Sequence, residues 1–280
     1  MLPEHFRNLT PSKFPTRDRT LTNTFSRSAF TLRRSSCIGT HAMLSVVMPV
    51  YNEGAVIREN LRRTAAEFRP LGPFEIIPVD DGSADNSAAE LQKAAAEIPE
   101  VHPLLLPHRG KGEALRQGTR AARGEWVVFL DADLDLPPDQ ITLFLTLQKV
   151  HQADAVIGSK MHPDSNVDYP FVRRIYSRGY YLLVKFLFGL PVRDTQTGMK
   201  LVRREILTQA VERTQLDGFA FDLELLVHLV ETGAKMTEAP VVVNHQIKYR
   251  GVGVTDIYSI ARDTWRTWRK VRRMRKAAKQ

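Results

Sequence analysis

Short apolar runs alternate with segments of helical periodicity over residues 44–158. The apolar runs predict buried strands at 44–50, 74–79, 101–106, 126–130 and 155–158. Between them, apolar residues three or four positions apart predict helices at 54–68, 87–98, 111–122 and 138–150. Strand–helix alternation with short connections is typical of a mostly parallel sheet flanked by helices. The pattern therefore predicts an α/β fold.

The pattern is less regular after residue 158. It predicts helices at 173–190, 205–214, 222–232 and 256–275, and strands at 201–202 and 236–243. A polar loop at 193–200 contains Gly198. The last helix is basic and partly amphipathic, and it carries Trp265 and Trp268. We therefore expect one α/β domain over residues 43–255, followed by a basic amphipathic helix or tail over residues 256–280.

The two ends of the chain carry its excess of positive charge. The formal net charge is +9; residues 1–42 have seven Lys and Arg against Glu4 and Asp18, and residues 261–280 have nine against Asp263. Residues 43–260 are therefore left with a net charge of −4. A fold that binds nucleic acid is expected to present a basic face, so the charge argues against a nucleic-acid partner. It favours ends that contact an anionic surface or are simply solvated.

Residues 1–42 are rich in Ser, Thr and Arg and poor in acids, so we predict a disordered basic extension. The composition resembles an organellar transit peptide, but Met43 stands directly before the first strand and would also be a natural initiator. Cys37 is the single cysteine, which excludes an internal disulfide and suits a reducing compartment. No segment reaches the roughly 20 apolar residues that cross a bilayer.

Acidic and polar side chains follow three of the predicted strands. The segment PVYNE closes the first strand, Asp80 and Asp81 close the second, and Asp131 and Asp133 follow the fourth. Ligands of such sheets bind at the carboxyl ends of the strands. Alternating carboxylates supply the hard oxygen ligands that suit Mg²⁺ or Mn²⁺. The alternative for each cluster is a solvated turn.

A basic loop, HRGKG at residues 108–112, precedes the third predicted helix. Its two glycines permit close approach of the backbone, and helix N-terminal amides favour phosphate. Glycine-bearing basic loops are also common without any ligand. Lys111 is the candidate phosphate contact.

Several motifs, taken in order, match a known family. They read PVYNE, VDDGSADNS, RGKGEA, DADLDLP, GSK and DTQTGMK, between residues 49 and 200. Together they resemble family 2 glycosyltransferases of the GT-A fold. The similarity is greatest to the branch that contains dolichyl-phosphate mannosyltransferase and dolichyl-phosphate glucosyltransferase. It covers about residues 44–250 and implies that the α/β domain has the GT-A fold.

The resemblance implies a nucleotide-sugar donor, of the UDP-glucose or GDP-mannose type, held at the strand ends. Asp80 would hold the base or ribose, and Asp131 and Asp133 would bind Mg²⁺ or Mn²⁺ that bridges to the diphosphate, with Asp133 counted as catalytic. Asp135 would be a third metal ligand, although mannosyltransferases of this branch often carry Gln or Ser there. The implied donor contacts are Pro49, Tyr51, Glu53, Asp80, Asp81, Lys111 and Asp131.

The resemblance also implies a polyprenyl or dolichyl phosphate as the acceptor. Lys160 replaces an Arg that is usual in the family, so it would supply charge without a bidentate fork. A phosphate nucleophile is already anionic and needs positioning and charge shielding rather than a strong base. Direct attack at the anomeric carbon would invert its configuration. The implied acceptor-phosphate contacts are Lys160, Arg174, Arg178, Gln196 and Lys200.

Asp222 and Glu224 resemble the late acidic segment of the family. The resemblance implies that either could position the sugar or serve as a base, and Asp222 and Lys200 are counted with Asp133 as catalytic. Glu224 could alternatively be solvated on its helix.

A lipid acceptor implies contact with a membrane. An apolar helix face could point at the bilayer or pack in the core; its members are Tyr176, Tyr180, Leu183, Val184, Leu187 and Phe188. The C-terminal helix could lie on anionic lipid or be a solvated basic tail. We expect a cytoplasmic protein, peripheral to the membrane and without a transmembrane helix, and the sequence assigns no oligomeric state.

Two other functions compete with this one. A family 2 glycosyltransferase that acts on a soluble or saccharide hydroxyl would need a general base, with Asp222 as the candidate. A non-enzymatic adaptor for membrane or nucleic acid would use the basic ends, but the acidic body and strand ends argue against it. Deletion of residues 261–280 is expected to abolish adaptor binding and to leave an enzyme able to bind nucleotide-sugar.

Overall fold

The computed structural model describes residues 42–167, 171–216, 219–244, 262 and 264–273. The predicted basic extension, apart from Ala42, and residues 245–261 lie outside the described residues. The strands are β1 (Leu44–Val50), β2 (Phe74–Asp81), β3 (Leu104–Leu106), β4 (Trp126–Phe129), β5 (Ala155–Ser159), β6 (Lys200–Arg203) and β7 (Met236–Pro240). The helices are α1 (Ile57–Phe68), α2 (Ser87–Glu97), α3 (Lys111–Ala121), α4 (Ile141–His151), α5 (Phe171–Phe188), α6 (Arg204–Val211), α7 (Phe219–Glu231) and α8 (264–273).

The strands form one sheet in the order β3-β2-β1-β4-β6-β5-β7. Every neighbouring pair is parallel except β4–β6 and β6–β5, so β6 alone runs against the other described strands. The carboxyl ends of β1, β2, β4 and β5 therefore lie at the same edge as the first residue of β6, Lys200. This confirms the predicted, mostly parallel α/β sheet and brings the predicted clusters to one edge.

Both faces of the sheet are buried under helices. Along β1, Val46 and Met48 pack into one apolar cluster with α1, α2 and α4, while Val47 packs into the other with α3, α5, α6 and α7. Strands buried on both faces read as continuous apolar runs, which is why β1 shows no polar alternation. Each fully buried large side chain, such as Phe68 or Phe144, contributes about 1.5–3 kcal/mol.

Some element boundaries differ from the predicted ones. The strand expected at 101–106 shortens to β3, with a single bridge between Ile76 and Val101 before it. Pro103 lacks an amide donor and interrupts the ladder between these two pieces. β2 instead runs two residues beyond its predicted end, so Asp80 and Asp81 are strand residues, and both are buried.

Helix α5 packs against the core with much of the apolar face for which the sequence left membrane contact and core packing open. Val184 and Phe188 are buried in the apolar cluster, so for these two residues core packing is confirmed. Among the side chains of α5 that the structure describes, residues 178–188, the exposed large apolar ones are Leu182, Leu183 and Phe186. The side chain of Tyr176 lies outside the described residues. Among the described helices, none has the length and hydropathy that crossing a bilayer requires.

Glu224 on α7 is buried, and the expectation that it could be solvated is wrong. One carboxylate oxygen accepts hydrogen bonds from the amides of Gln215 (2.8 Å) and Leu216 (2.9 Å). The other is bonded to the ammonium of Lys270 on α8, and His228 Nε2 lies 3.8 Å from it. Thr264, Thr267 and Val271 of α8 are also buried. The described part of the predicted C-terminal tail is therefore a docked helix of the domain.

The carboxyl of Glu224 is expected to make the stability of the protein depend on acid pH. Desolvation raises the pKa of Glu224, but the hydrogen bonds from Lys270 and the two amides, together with the nearby His228, outweigh it and lower the pKa to about 2. Because the folded pKa lies below the ordinary value of 4.5, this stabilisation is complete above that value and is lost as the pH falls towards 2. The loss amounts to about 3 kcal/mol. Urea unfolding between pH 5 and 2 measures it, and Glu224→Gln should flatten that part of the profile; parallel profiles would contradict the assignment.

Candidate active site

The acidic strand ends meet where β2, β1 and β4 lie side by side. Burial raises the pKa of Glu53, which follows β1, and repulsion from Asp133 and Asp85 adds to it. Glu53 and Asp133 are therefore close neighbours, although 80 residues separate them in sequence. This places two of the predicted donor and metal residues in one pocket of negative potential, as the strand-end pattern predicts.

Asp81 organises the basic loop that precedes α3. Its carboxylate accepts hydrogen bonds from the amides of Arg109 (2.7 Å) and Gly110 (2.9 Å), and His108 Nδ1 lies 2.9 Å from the same group. The ring of His108 stacks on that of Tyr51 with a centroid distance of 4.6 Å. Both predicted donor residues thus contact this loop: Tyr51 stacks on His108, and Asp81 binds the backbone amides. The exposed rings of Tyr51 and His108 can face a nucleobase.

Asp80 is the last residue but one of β2. Its carboxylate accepts hydrogen bonds from the hydroxyl (2.5 Å) and the amide (3.3 Å) of Ser83. Pro49 is half-buried near the end of β1. Both predicted donor contacts therefore lie at the shared edge of the sheet, beside the loop that Asp81 anchors.

The first aspartate of the DAD motif pairs with a lysine. Lys111 Nζ donates a hydrogen bond to Asp131 Oδ1 at 2.5 Å. Desolvation lowers the pKa of Lys111, but attraction to Asp131, Asp222 and Asp133 outweighs it and raises the pKa overall. Burial likewise raises the pKa of Asp131, but the charge of Lys111 reverses this and leaves it below its ordinary value. Both groups are therefore ionised at neutral pH.

Asp133 and Asp135 differ in their surroundings. Asp133 is exposed and accepts a hydrogen bond from the amide of Asp135 at 3.0 Å. The surrounding protein raises the pKa of Asp133 chiefly by desolvation, and Asp131 and Asp135 add repulsion. Asp135 instead binds Lys160 Nζ at 2.7 Å. Asp135, the expected third metal ligand, thus forms an ion pair with an expected acceptor contact.

Asp194, which was not predicted from the sequence as a site residue, connects the end of β5 with the loop between α5 and β6. Asp194 accepts hydrogen bonds from the amide of Lys160 (2.9 Å), the amide of Gln196 (3.0 Å) and the hydroxyl of Thr197 (2.5 Å). Its position in the motif DTQTGMK is the signal that could have identified it. Asp194 thereby fixes the backbone at Lys160 and at Gln196 together.

Gly198 in the same loop lies directly against the DAD motif. A Cβ atom at this position would stand 1.9 Å from Asp131 Oδ2 and 2.5 Å from its carboxyl carbon. Real Cβ atoms do not come this close to another atom, so any side chain at this position would displace the carboxylate of Asp131. The loop that carries Gln196 therefore covers the carboxylate of Asp131.

Lys200 is not the accessible cation that the sequence suggested. Its side chain is buried, and its ammonium donates to Asp222 Oδ1 and to the carbonyl of Thr197, both at 2.6 Å. Asp222, the candidate base, is buried in the same pair. Arg178 is exposed on α5, and the side chain of Arg174 lies outside the described residues. Of the expected acceptor cations, Lys160 thus lies beside the DAD motif, whereas Lys200 neutralises Asp222.

The donor set suits a divalent ion shared with a substrate. Within the described residues, no group of three His, Cys, Asp or Glu side chains is clustered for metal binding. Mg²⁺ is commonly held by one or two carboxylates together with substrate phosphates and water, and Asp131 and Asp133 can supply these two. The ammonium of Lys111 already contacts Asp131, which shows that this carboxylate lies within reach of a cation. The residues therefore fit Mg²⁺ or Mn²⁺.

Curated relatives match most or much of the chain. Glycosyltransferase AglD of Haloferax volcanii is 30% identical over 229 residues, which cover 80% of this chain and 37% of that protein. An undecaprenyl-phosphate 4-deoxy-4-formamido-L-arabinose transferase of Pseudomonas paraeruginosa is 40% identical over 59% of this chain and 48% of its own length. Dolichyl-phosphate beta-glucosyltransferase ALG5C of Trichomonas vaginalis is 29% identical over 70% of this chain and 62% of its own. The chain thus spans less than two thirds of each of these relatives.

Solved structures share the fold. Glucosyl-3-phosphoglycerate synthase of Mycobacterium tuberculosis, crystallised with UDP, superposes with a TM-score of 0.58 and 19% identity, over 81% of this chain and 79% of that one. Other crystals of that enzyme contain Mn²⁺ or Mg²⁺ beside UDP. The sequence model of the family named Glycosyl transferase family 2 matches residues 45–210, more than half of the chain. The predicted GT-A fold is thereby confirmed, and the chain belongs to glycosyltransferase family 2.

Proposed function

We propose that this protein transfers a hexose from a nucleotide-sugar to a polyprenyl phosphate, with inversion at the anomeric carbon and with Mg²⁺ or Mn²⁺. The observation that carries the choice of acceptor is the buried pair of Lys200 and Asp222. The carboxylate expected to act as base is held by an ammonium, whereas a phosphate acceptor needs no base. Two of the relatives described above are named for transfer to undecaprenyl or dolichyl phosphate.

The donor side is built from β1, β2, β4 and the loop before α3. Tyr51 and His108 offer a stacked aromatic surface for the base, and Asp80 stands beside it for the base or ribose. Lys111, next to Asp131, is placed to contact the diphosphate. Asp131 and Asp133 would hold a divalent ion, which would supply charge neutralisation for the departing diphosphate.

The acceptor side is built from the end of β5 and the loop at 193–199. A phosphate oxygen of the acceptor attacks the anomeric carbon as the bond from that carbon to the diphosphate oxygen breaks, so a nucleoside diphosphate leaves. Lys160 shields the incoming phosphate, and Asp194 fixes the backbone at Lys160. Gln196, on the same loop, is half-buried and available to orient the phosphate.

Transfer to a hydroxyl acceptor is the second candidate. The resemblance of the fold to glucosyl-3-phosphoglycerate synthase favours it, since that enzyme is named for a soluble phosphorylated acid. It would require Asp222 to leave Lys200 and take up a proton. The acceptor panel below separates the two reactions.

Purified protein is incubated with Mg²⁺ or Mn²⁺, a panel of nucleotide-sugars, and either a polyprenyl phosphate or soluble hydroxyl acceptors. We expect a sugar-linked polyprenyl phosphate with one donor and no product from the hydroxyl compounds. A product only with hydroxyl acceptors would assign the second candidate. No product with any pair would refute the proposed transfer.

Replacement of Asp133 by Ala is expected to lower transfer by on the order of 100-fold or more. The change removes one of the two carboxylates that would hold the divalent ion, and this ion would neutralise the charge of the diphosphate. Calorimetric titration with Mn²⁺ in the presence of UDP or GDP should show a matching loss of affinity. Asp139→Ala, an exposed acid in the short turn after β4, is the control and should keep both. An Asp133→Ala protein with full activity would remove Asp133 from the metal site.

A further inference from the structure

The outer face of α5 exposes large apolar side chains. Leu182 is 60% exposed and Phe186 is 87% exposed, and these residues are four positions apart, so they lie on one face of the helix. Leu183 is exposed beside them. Exposed apolar residues scattered singly need no explanation, but three on one helix face mark a contact surface. We call Leu182, Leu183 and Phe186 the α5 patch.

The α5 patch lies in a strongly basic setting. The sequence of α5 contains no Asp or Glu, and the exposed Arg178 and Lys185 are on the same helix. Residues 264–273 of α8 also contain no acid, although Asp263 stands directly before them, and they expose several arginines. Trp265 of α8 is exposed and stacks on Trp268 with a centroid distance of 4.8 Å. Aromatic and aliphatic side chains among cations are typical of surfaces that enter a lipid headgroup layer.

The two basic helices are in contact. The hydroxyls of Tyr180 on α5 and Thr264 on α8 are 3.3 Å apart, and Trp268 packs in the same apolar cluster as Val184. Lys270 fixes α8 to the buried Glu224. The apolar and basic groups of both helices therefore belong to one rigid part of the domain.

We propose that the α5 patch, together with Trp265, docks the protein on the surface of an anionic bilayer. This rests on the proposed function, because a polyprenyl phosphate is presented from a membrane. A second copy of the chain is a poorer occupant, since a symmetric contact would bring two acid-free basic helices together. Nucleic acid is also disfavoured, because it offers no apolar medium that would cover the aliphatic side chains of Leu182 and Leu183.

The position of α5 connects this surface with the acceptor side of the site. Burial raises the pKa of Tyr180, and the nearby carboxylates Asp194 and Asp222 add to the effect. Tyr180 thus faces the acceptor loop from the inner side of the helix, whereas the α5 patch lies on the outer side. A helix is about 10–12 Å across, so a lipid phosphate lifted from the headgroup layer has only that distance to cover.

The full chain is mixed with vesicles of phosphatidylcholine alone or with about 30% phosphatidylglycerol, and bound protein is measured by co-sedimentation. We expect binding to the anionic vesicles that weakens as salt is raised. The double variant Leu182→Ser/Phe186→Ser should bind at least about tenfold more weakly. Val150→Ser is the matched control, because Val150 is 69% exposed on α4, and it should bind as the unaltered chain does.

Equal binding of the double variant and the unaltered chain would overturn the docking surface. A weaker binding with an unchanged melting temperature supports it, and Arg266→Gln/Arg269→Gln tests the cationic part without touching apolar groups. If sedimentation equilibrium shows a dimer that the double variant loses, the surface belongs to a second copy. Transfer to a short-chain, water-soluble prenyl phosphate is measured in parallel. This transfer should be retained in the double variant. If neither the double variant nor the unaltered chain gives a product, the proposed function is refuted, whatever the result with vesicles.

Discussion

Replacing Gly198 by Ala is expected to lower sugar transfer by at least about 100-fold, because the added methyl group collides with the carboxylate of Asp131. The clash is with the oxygen and the carboxyl carbon of a side chain that Lys111 also holds, so the carboxylate cannot simply rotate away. Transfer with Mn²⁺ and the affinity for Mn²⁺ with nucleoside diphosphate should fall together. The melting temperature should fall by no more than about 2–12 °C, since overpacking of one methyl costs about 1–3 kcal/mol.

Gly179→Ala is the matched control for this substitution. Gly179 lies in α5, and a Cβ atom there would meet nothing within 4 Å. The same change of residue should therefore leave transfer intact and favour the helix slightly. If Gly198→Ala were as active as Gly179→Ala, the loop would not constrain Asp131. The close approach of Gly198 to this carboxylate would then have no role in transfer.

Lys270→Met is expected to destabilise the protein by about 3 kcal/mol, because it leaves the carboxylate of Glu224 buried without its ammonium. The lower end of the range for broken buried pairs applies, since Lys270 is itself partly exposed. Urea denaturation at neutral pH measures the loss. Lys270→Met/Glu224→Gln should recover part of it, because the double change removes the uncompensated charge.

Arg269→Met is the control on the same helix, where the side chain is exposed. It should change the free energy of unfolding by no more than about 0.5 kcal/mol. An equal loss for Lys270→Met and Arg269→Met would mean that Glu224 is not held by Lys270. The same buried pair alters the expected result of deleting residues 261–280: the deletion removes the partner of Glu224, so it tests folding as well as membrane contact.

The donor side of the site could be predicted from the sequence because it follows from a simple geometric rule. Buried strands that alternate with helices lie parallel, and parallel strands end at one edge. Asp80, Asp131 and Glu53 each follow such a strand, so their meeting needs no knowledge of side-chain packing. The resemblance to a family then supplied the chemistry that these carboxylates could serve.

The partners of buried charges could not be predicted in this way. Lys200 with Asp222 and Lys270 with Glu224 are 22 and 46 residues apart, and no period relates them. Asp194 acts mainly through backbone amides, whose positions depend on the loop conformation rather than on residue type.

For α5, the sequence identified an apolar face but left open whether this face meets a bilayer or packs in the core. Apolar residues cover more than one side of this helix, so helical spacing shows that the helix is apolar but not which side packs inward. Packing of Val184 and Phe188 against α7 and β5 decides it, and this leaves Leu182 and Phe186 outside.

The reversed direction of β6 has a consequence for how such proteins diversify. Since β6 begins at the edge where its neighbours end, the segment between α5 and β6, residues 189–199, lies at the edge of the sheet that carries the site. Insertions or exchanges in residues 189–199 can therefore remodel acceptor recognition while the pairing of β1, β2 and β4 is preserved. Under the proposed function, donor and acceptor recognition would lie on separable pieces of chain, so either could change during descent while the other is inherited.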